Sequence, residues 1–274
     1  MLKTEELRNH ASKIREGVIR GTYHAKSGHP GGSLSIADIL TVLYFEEMNI
    51  DPKNPKMEDR DRFVLSKGHC APALYSALAE RGYFDMKELD SLRHLGHFLQ
   101  GHPDMKKVPG VDMSSGSLGQ GLSAANGMAL YAKSEKKDFR VYAILGDGEI
   151  QEGQVWEAAM SAAHYKLDNL TIFVDNNNLQ IDGTVDTIMS PYPIDEKFKA
   201  FGFNVINIDG HNFDEIRSAL KNARETKGKP TAIIAKTIKG KGVSFMENKV
   251  EWHGSAPKEE QAIEAIKELT GGAL

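Results

Sequence analysis

Two short polar clusters, Gly146-Asp147-Gly148 and Asp175-Asn176-Asn177-Asn178, each follow an apolar run directly. Asp147 is a hard carboxylate, Asn177 offers an amide oxygen, and the backbone carbonyl of Leu179 lies just beyond. With two diphosphate oxygens and a water, these three protein oxygens would fill the octahedral shell of Mg²⁺. Gly146 and Gly148 lack Cβ atoms, so a diphosphate can approach the backbone closely. The N-terminus of the following helix favours an anion. A glycine turn with a polar loop after the next strand is the plainer explanation. Against it stands the order strand, helix, strand and asparagine within one stretch, Arg140 to Gly183.

Histidine is the second chemical signal. His29, His69, His97, His102, His211 and His253 each sit beside a glycine in a loop. A lone loop histidine is ordinarily a surface residue. Loops on a rigid scaffold are nevertheless where site residues concentrate, and an imidazole can exchange protons with a hydroxyl near neutral pH. His10, His24, His94 and His164 read as ordinary helix or surface residues.

The elements that must position these groups are legible. Val141–Leu145 and Leu170–Val174 are wholly apolar, as expected of strands buried on both faces of a parallel sheet. Between them Val155, Trp156, Ala159, Met160, Ala163 and Leu167 form one helical stripe over Gly153–Leu167. Phe63–Leu65, Val205–Ile208 and Thr231–Ala235 read as further strands. Helices are expected over Thr4–Tyr23, Ser35–Glu47, Ala71–Arg81, about Asp214–Glu225 and Pro257–Leu269. A small-residue helix with Ala124, Ala125, Gly127 and Ala129 ends near Lys133, and Asp85 with Glu88 reads as a capping box. Residues 26–33, rich in breakers, read as a loop, as does the irregular stretch 92–112. Thr184–Pro193 reads as a loop suited to a lid. The fold expected is α/β: one doubly wound domain, 1–274, with a mostly parallel sheet and helices on both faces.

Composition narrows the function. A chain of 274 residues can bury one full α/β core. Net charge is −4 with both signs interspersed, which gives no basic footprint for nucleic acid. Cys70 is the only cysteine, so no internal disulfide forms. The charged N-terminus does not read as a signal peptide, and no apolar run reaches membrane-spanning length. A cytoplasmic protein is the expectation. Walker A and dinucleotide fingerprints are missing. Cys70 reads as a buried helix-start residue, and Lys236, Lys239 and Lys241 read as solvated.

GDGEIQEGQVWEA followed by DNNNLQIDG resembles the thiamine-diphosphate motif, and its wording is most similar to transketolases. SGHPGG at 27–32, the S-x-GH element at 66–69, GHP at 101–103, GSLGQG at 116–121 and WHG at 252–254 extend the resemblance over nearly the whole chain. The resemblance implies thiamine diphosphate with Mg²⁺ (Ca²⁺ or Mn²⁺ being able to substitute), the metal held by Asp147, Asn177 and Leu179. It implies that His69, Gly116, Ser117, Leu118, Gly148, Glu152, Asn177 and His253 contact the cofactor. His29, His102 and His253 would face sugar hydroxyls and move protons. Ser117 stands where the family has proline, with the glycines intact. Glu152 and Glu157 would lie at the subunit contact, and the DGH turn at His211 would be structural.

The same resemblance implies transfer of a two-carbon ketol unit between sugar phosphates, as in the pentose phosphate pathway. The family's second, pyrimidine-binding domain carries the glutamate that activates the cofactor. Here the sequence stops at Gly271-Gly272-Ala273-Leu274, soon after WHG. The expectation is therefore the N-terminal subunit of a split transketolase, working as an α₂β₂ assembly with a separate C-terminal subunit. The helix at 123–130 and the Glu152 helix are the expected contact, through which the chain could also self-associate. The α chain of a two-chain 2-oxoacid dehydrogenase and a non-catalytic thiamine-diphosphate binder remain as alternatives.

Overall fold

The computed structural model describes residues 1–271; residues 272–274, the end of the expected domain, lie outside the described residues. The chain opens with α1 (Thr4–Ala25), whose Leu7, Ala11, Ile14 and Val18 are buried as their spacing requires. The stretch 26–33 is not all loop, because Pro30–Leu34 forms a short helix, α2. Pro30 takes its first position, where a missing N–H costs nothing. Gly31 and Gly32 are needed for close packing: a Cβ would lie 2.8 Å from the Trp252 carbonyl and 2.9 Å from Cys70 Sγ, respectively. The expected helix 35–47 is α3 (Ala37–Val42) continued by a π turn, Leu43–Glu47.

β1 (Arg62–Leu65) and α4 (Ala71–Arg81) follow as expected. The Asp85 capping box does not form. Asp85 accepts from the Lys87 amide, while Glu88 bonds His97 at 2.8 Å, which also gives His97 a structural role. Next come α5 (Gln120–Ser134), β2 (Val141–Gly146), α6 (Gly153–His164) and β3 (Leu170–Asn176). A 3₁₀ turn, Glu149–Gln151, separates Gly148 from α6, so the helix N-terminus does not open directly on the glycine turn. In α5, Ala125 and Ala129 are buried, but Gly127 faces open space and has no close neighbour.

The expected lid is more ordered than a loop. β4 (Leu179–Gln180) and β5 (Gly183–Thr184) form a small hairpin, and α7 (Val185–Ile188) is capped by Thr184. Gln151 holds the Met189 carbonyl at 2.6 Å, and Tyr192 donates to Asn176 at 2.6 Å. α8 (Ile194–Ala200) is an element that the sequence pattern did not suggest. β6 (Asn204–Asp209), α9 (Phe213–Glu225), β7 (Thr231–Lys236) and α10 (Glu259–Thr270) complete the chain.

The main sheet runs β1-β2-β3-β7-β6 and every pair in it is parallel. Side chains alternate between two cores. Phe63, Tyr142, Ile144, Phe173 and Ile233 face one with α1, α3, α4 and α9; Val64, Ala143, Leu145, Ile172 and Val174 face the other with α5, α6 and α8. Each large side chain buried this way contributes roughly 1.5–3 kcal/mol. The register sets Gly146 beside Asp175, so both polar clusters emerge at the same sheet end. Among the described residues, no helix is long and apolar enough to cross a membrane.

Candidate active site

Four neighbouring strands end at one place. β1 delivers Ser66 and Lys67, β2 Asp147, β3 Asp175 and Asn177, and β7 leads to Thr237 and Lys239. Of these, Lys67, Asp147, Asn177 and Lys239 line a cavity of about 380 Å³ that also meets His29, His69, Gly116, Leu118, Gly148, Glu152, Leu179 and His253. Ligands of open α/β sheets bind at such carboxyl ends. A cleft of about 610 Å³ near the opposite sheet end is lined instead by charges already paired, including Arg224 with Glu47 and Lys137 with Asp59.

Asp147 is 2 % exposed, and among the described residues it accepts hydrogen bonds only from the Gly148 and Asn178 amides. Among the described residues no side-chain cation pairs with it. Burial first, and the Asp175 charge second, push its carboxyl up to about 7. A buried anion short of a counter-charge suits a divalent cation. The Asn177 oxygen now accepts from the Leu179 amide at 3.1 Å, and the Leu179 carbonyl from Lys239 at 3.1 Å. This mixed oxygen set fits a hard metal, although it holds only one carboxylate.

Beneath the cavity, Asp175 is saturated. It accepts from Lys67 and Thr237, from Ser35 at 2.7 Å and from Asn177 at 2.9 Å. Burial alone would raise this carboxyl, but Lys67 and the other donors hold it below the ordinary range. Lys67 also donates to the Gly32 carbonyl at 2.9 Å, tying α2 to the strand ends. Glu149 is a second buried tie. It accepts from Ser66, from the Gly119 amide at 3.0 Å and from the Gly146 amide at 3.0 Å, joining three loops. The Gly146 N–H is therefore engaged within the protein.

His29, His69 and His253 form a near-equilateral cluster, with ring centres 5.1, 5.2 and 5.4 Å apart. Burial, then Arg93 and His102, push His29 down to about 4; burial, then Lys239, push His253 to about 3; His69 also falls well below its ordinary value, by burial and Lys67. All three are neutral imidazoles at pH 7. Lys239 lies 2.8 Å from His253 Nδ1, so that nitrogen accepts from the ammonium and Nε2 carries the proton. His29 Nδ1 is buried without a partner among the described residues.

The expected residues are not all together. His102 stands apart from the cluster, its ring against Gly116. Ser117 is exposed and does not line the cavity. Glu152 reaches the cavity mouth, whereas Glu157 lines a separate cleft with Leu130 and Tyr165 on the face of α5 and α6. His211 bonds Asp38 at 2.7 Å and accepts from the Ile238 amide, in the expected structural role. Cys70 is buried, as expected.

Lys239 corrects the sequence reading. It is not solvated but 2 % exposed, and burial with the nearby Lys67 charge pushes it down to about 8. Its position just past β7, beside Gly240, was the available signal. The sequence assigns no role to Lys67 or Glu149, since a charged residue beside glycine carries no local signal of burial.

Residues 7–273 match the family model described as the transketolase, thiamine diphosphate binding domain. The chain is 48 % identical to the 6-deoxy-6-sulfo-D-fructose transketolase subunit of Clostridium sp. (strain MSTE9), covering 96 % of each. It is 42 % identical to an apulose-4-phosphate transketolase subunit of Phocaeicola vulgatus, covering 98 % of this chain and 95 % of that protein. Human transketolase is 43 % identical over 97 % of this chain, which spans only 42 % of that longer protein. Campylobacter jejuni transketolase superposes with a TM-score of 0.92 at 37 % identity, over 98 % of this chain and 43 % of that one. With the glycine turn, the asparagine and the histidine cluster at one sheet end, and with these similarities over almost its full length, the chain belongs to the transketolase family.

Proposed function

We propose that this chain is the cofactor-binding subunit of a two-chain transketolase, forming a single thiamine-diphosphate domain over 1–274 and acting in the cytoplasm. The observation that carries the reading is the buried Asp147, which makes no side-chain ion pair among the described residues, beside a neutral histidine cluster. Two relatives named as transketolase subunits, matched over nearly their whole length, support the division into chains. Exposed Leu130, Tyr131, Met160 and Tyr165 support α5 and α6 as the subunit contact, in an α₂β₂ assembly.

Asp147, Asn177 and the Leu179 carbonyl would hold Mg²⁺ against the diphosphate. Gly116, Leu118, Gly148, Glu152, His69 and His253 would line the cofactor, and Lys239 would add a positive charge beside Leu179. Thiamine diphosphate supplies the nucleophilic carbon, its thiazolium C2. This chain supplies placement and proton transfer. Neutral His29 and His102 can each donate and accept at sugar hydroxyls, while His253, whose Nδ1 is engaged by Lys239, donates from Nε2. The substrates would be a ketose and an aldose that carry a terminal anion. Fructose 6-phosphate, 6-deoxy-6-sulfofructose and apulose 4-phosphate form the panel that distinguishes the donors.

The decisive experiment is reconstitution. The chain alone, checked by mass spectrometry for contaminating partner, is expected to show no ketol transfer, and turnover appears on adding the pyrimidine-domain subunit. Robust turnover from the single chain refutes the division of labour. In the assembled enzyme, His29→Ala and His102→Ala are expected to lower kcat by about 10²- to 10⁴-fold, the usual worth of a proton-transfer group, with cofactor affinity nearly intact. His69→Ala instead weakens the cofactor. If His102→Ala loses cofactor but keeps turnover at saturating cofactor, the two roles are reversed.

A further inference from the structure

Arg93 lies outside the cavity, and neither the metal nor the cofactor reading uses it. Its backbone is left-handed, with φ 62°, a conformation that side-chain-bearing residues seldom adopt. Such outliers persist where the surroundings over-determine them. Here the Arg93 amide donates to the Leu99 carbonyl at 2.8 Å. The guanidinium then reaches in two directions. One nitrogen donates to Ser27 Oγ at 3.1 Å, and the other to the Gly101 carbonyl at 3.3 Å. Ser27 stands two residues before His29, and Gly101 directly before His102. Gly101 also makes room for the guanidinium, since a Cβ there would lie 2.9 Å from Arg93 Cζ. Among the described residues, no backbone hydrogen bond joins 26–29 to 100–103, and no carboxylate pairs with Arg93.

We propose that Arg93 is a positioning residue, whose guanidinium ties the loop bearing His29 to the loop bearing His102 and so fixes the relation between the two imidazoles. This inference rests on the reading that both histidines face the sugar. The charge of Arg93 adds a second effect. After burial, Arg93 is the largest influence that lowers both His29 and His102. His29 also faces His69, His253, Lys239 and His102, while the backbone carbonyl of His102 is held by the Tyr75 hydroxyl at 2.9 Å. Removing Arg93 leaves those groups in place and takes away the one cation, among the described residues, that acts on both rings.

The test uses Arg93→Met, Arg93→Lys and Gly101→Ala in the two-chain enzyme. Small displacements of reacting groups are costly, so Arg93→Met is expected to lower kcat/KM for the donor ketose on the order of 10- to 100-fold. Thiamine-diphosphate affinity, read by calorimetry, should stay near wild type. Arg93→Lys keeps the charge but cannot bridge both loops, and Gly101→Ala displaces the guanidinium, so neither restores kcat/KM. The same variants are titrated in the full single chain by following histidine ring protons by NMR. There Arg93→Met is expected to raise the pKa of His29 and of His102, and Arg93→Lys to raise them less. Wild-type kcat/KM in Arg93→Met overturns the proposal, as does a cofactor affinity that falls in step with turnover. Should the wild-type pair show no ketol transfer, the functional reading fails instead. Arg93→Lys and Gly101→Ala, which keep the charge, then still decide: displaced ring resonances of both His29 and His102 support the tie, and wild-type resonances refute it.

Discussion

Asp147→Ala is expected to abolish metal-dependent binding of thiamine diphosphate. Truncating one partner of a buried charge pair typically costs about 2–5 kcal/mol, and here the loss would fall on the bridge between metal and diphosphate. Two anions would otherwise meet across the glycine turn without a counter-charge. Calorimetric titration of the reconstituted enzyme with the cofactor and Mg²⁺ measures this, and wild-type affinity in the variant refutes the metal assignment. A pH dependence accompanies it. The Asp147 carboxyl is raised to about 7 without a cation. Below that pH a metal must displace a proton, so its affinity falls by up to about tenfold per unit. Above it the carboxylate is already ionised and the dependence flattens. In the unliganded fold the same raised pKa makes Asp147 a source of instability that grows as pH rises from the ordinary carboxylate value towards 7. Mg²⁺ should therefore raise the melting temperature more at pH 8 than at pH 6. Equal shifts at the two pH values would count against Asp147 as the ligand.

Lys67→Met should damage the fold itself. Lys67 and Asp175 are both essentially inaccessible, and removal of one partner leaves an uncompensated buried charge, at a cost of about 3–5 kcal/mol. For a chain of this size that corresponds to roughly 10 °C in melting temperature. The sign with pH follows from Asp175. In the wild type its lowered pKa contributes stability above the ordinary carboxylate value, which is lost as pH falls through the folded value. Without Lys67 burial raises that pKa, so the deficit should be largest at neutral pH and shrink in acid. The double variant Lys67→Met/Asp175→Asn should recover part of the loss. Thermal unfolding between pH 4 and 8 tests this, and a variant as stable as wild type at pH 7 shows that the remaining donors to Asp175 suffice.

Most elements could be read from the chain because their causes are local. The apolar runs at 141–145 and 170–174 and the stripe over 153–167 carry their own periodicity, and the two cores satisfy it. The misses have physical reasons as well. Pro30-Gly31-Gly32 reads as breakers, but a proline at the first helical position and close contacts to Trp252 and Cys70 make a buried helix there. Asp85 and Glu88 had the right spacing for a capping box, yet His97 captured the glutamate.

The site divides in the same way. The sequence by itself brought the oxygen-bearing Asp147, Asn177 and Leu179 together, because they sit within or just after one strand-helix-strand unit whose register follows from its own hydrophobic pattern. It also supplied the histidines, through their glycine neighbours. Only the tertiary structure decided which histidines meet. His29, His69 and His253 converge from the residue that precedes α2, the turn after β1 and the segment before α10, while His102 stays at the rim. It also decided that Lys67, Glu149 and Lys239 are interior. A charged side chain is tolerated inside only if a distant partner meets it. Asp175 reaches Lys67, three loops reach Glu149, and His253 reaches Lys239 only once the parallel sheet has set four strand ends side by side.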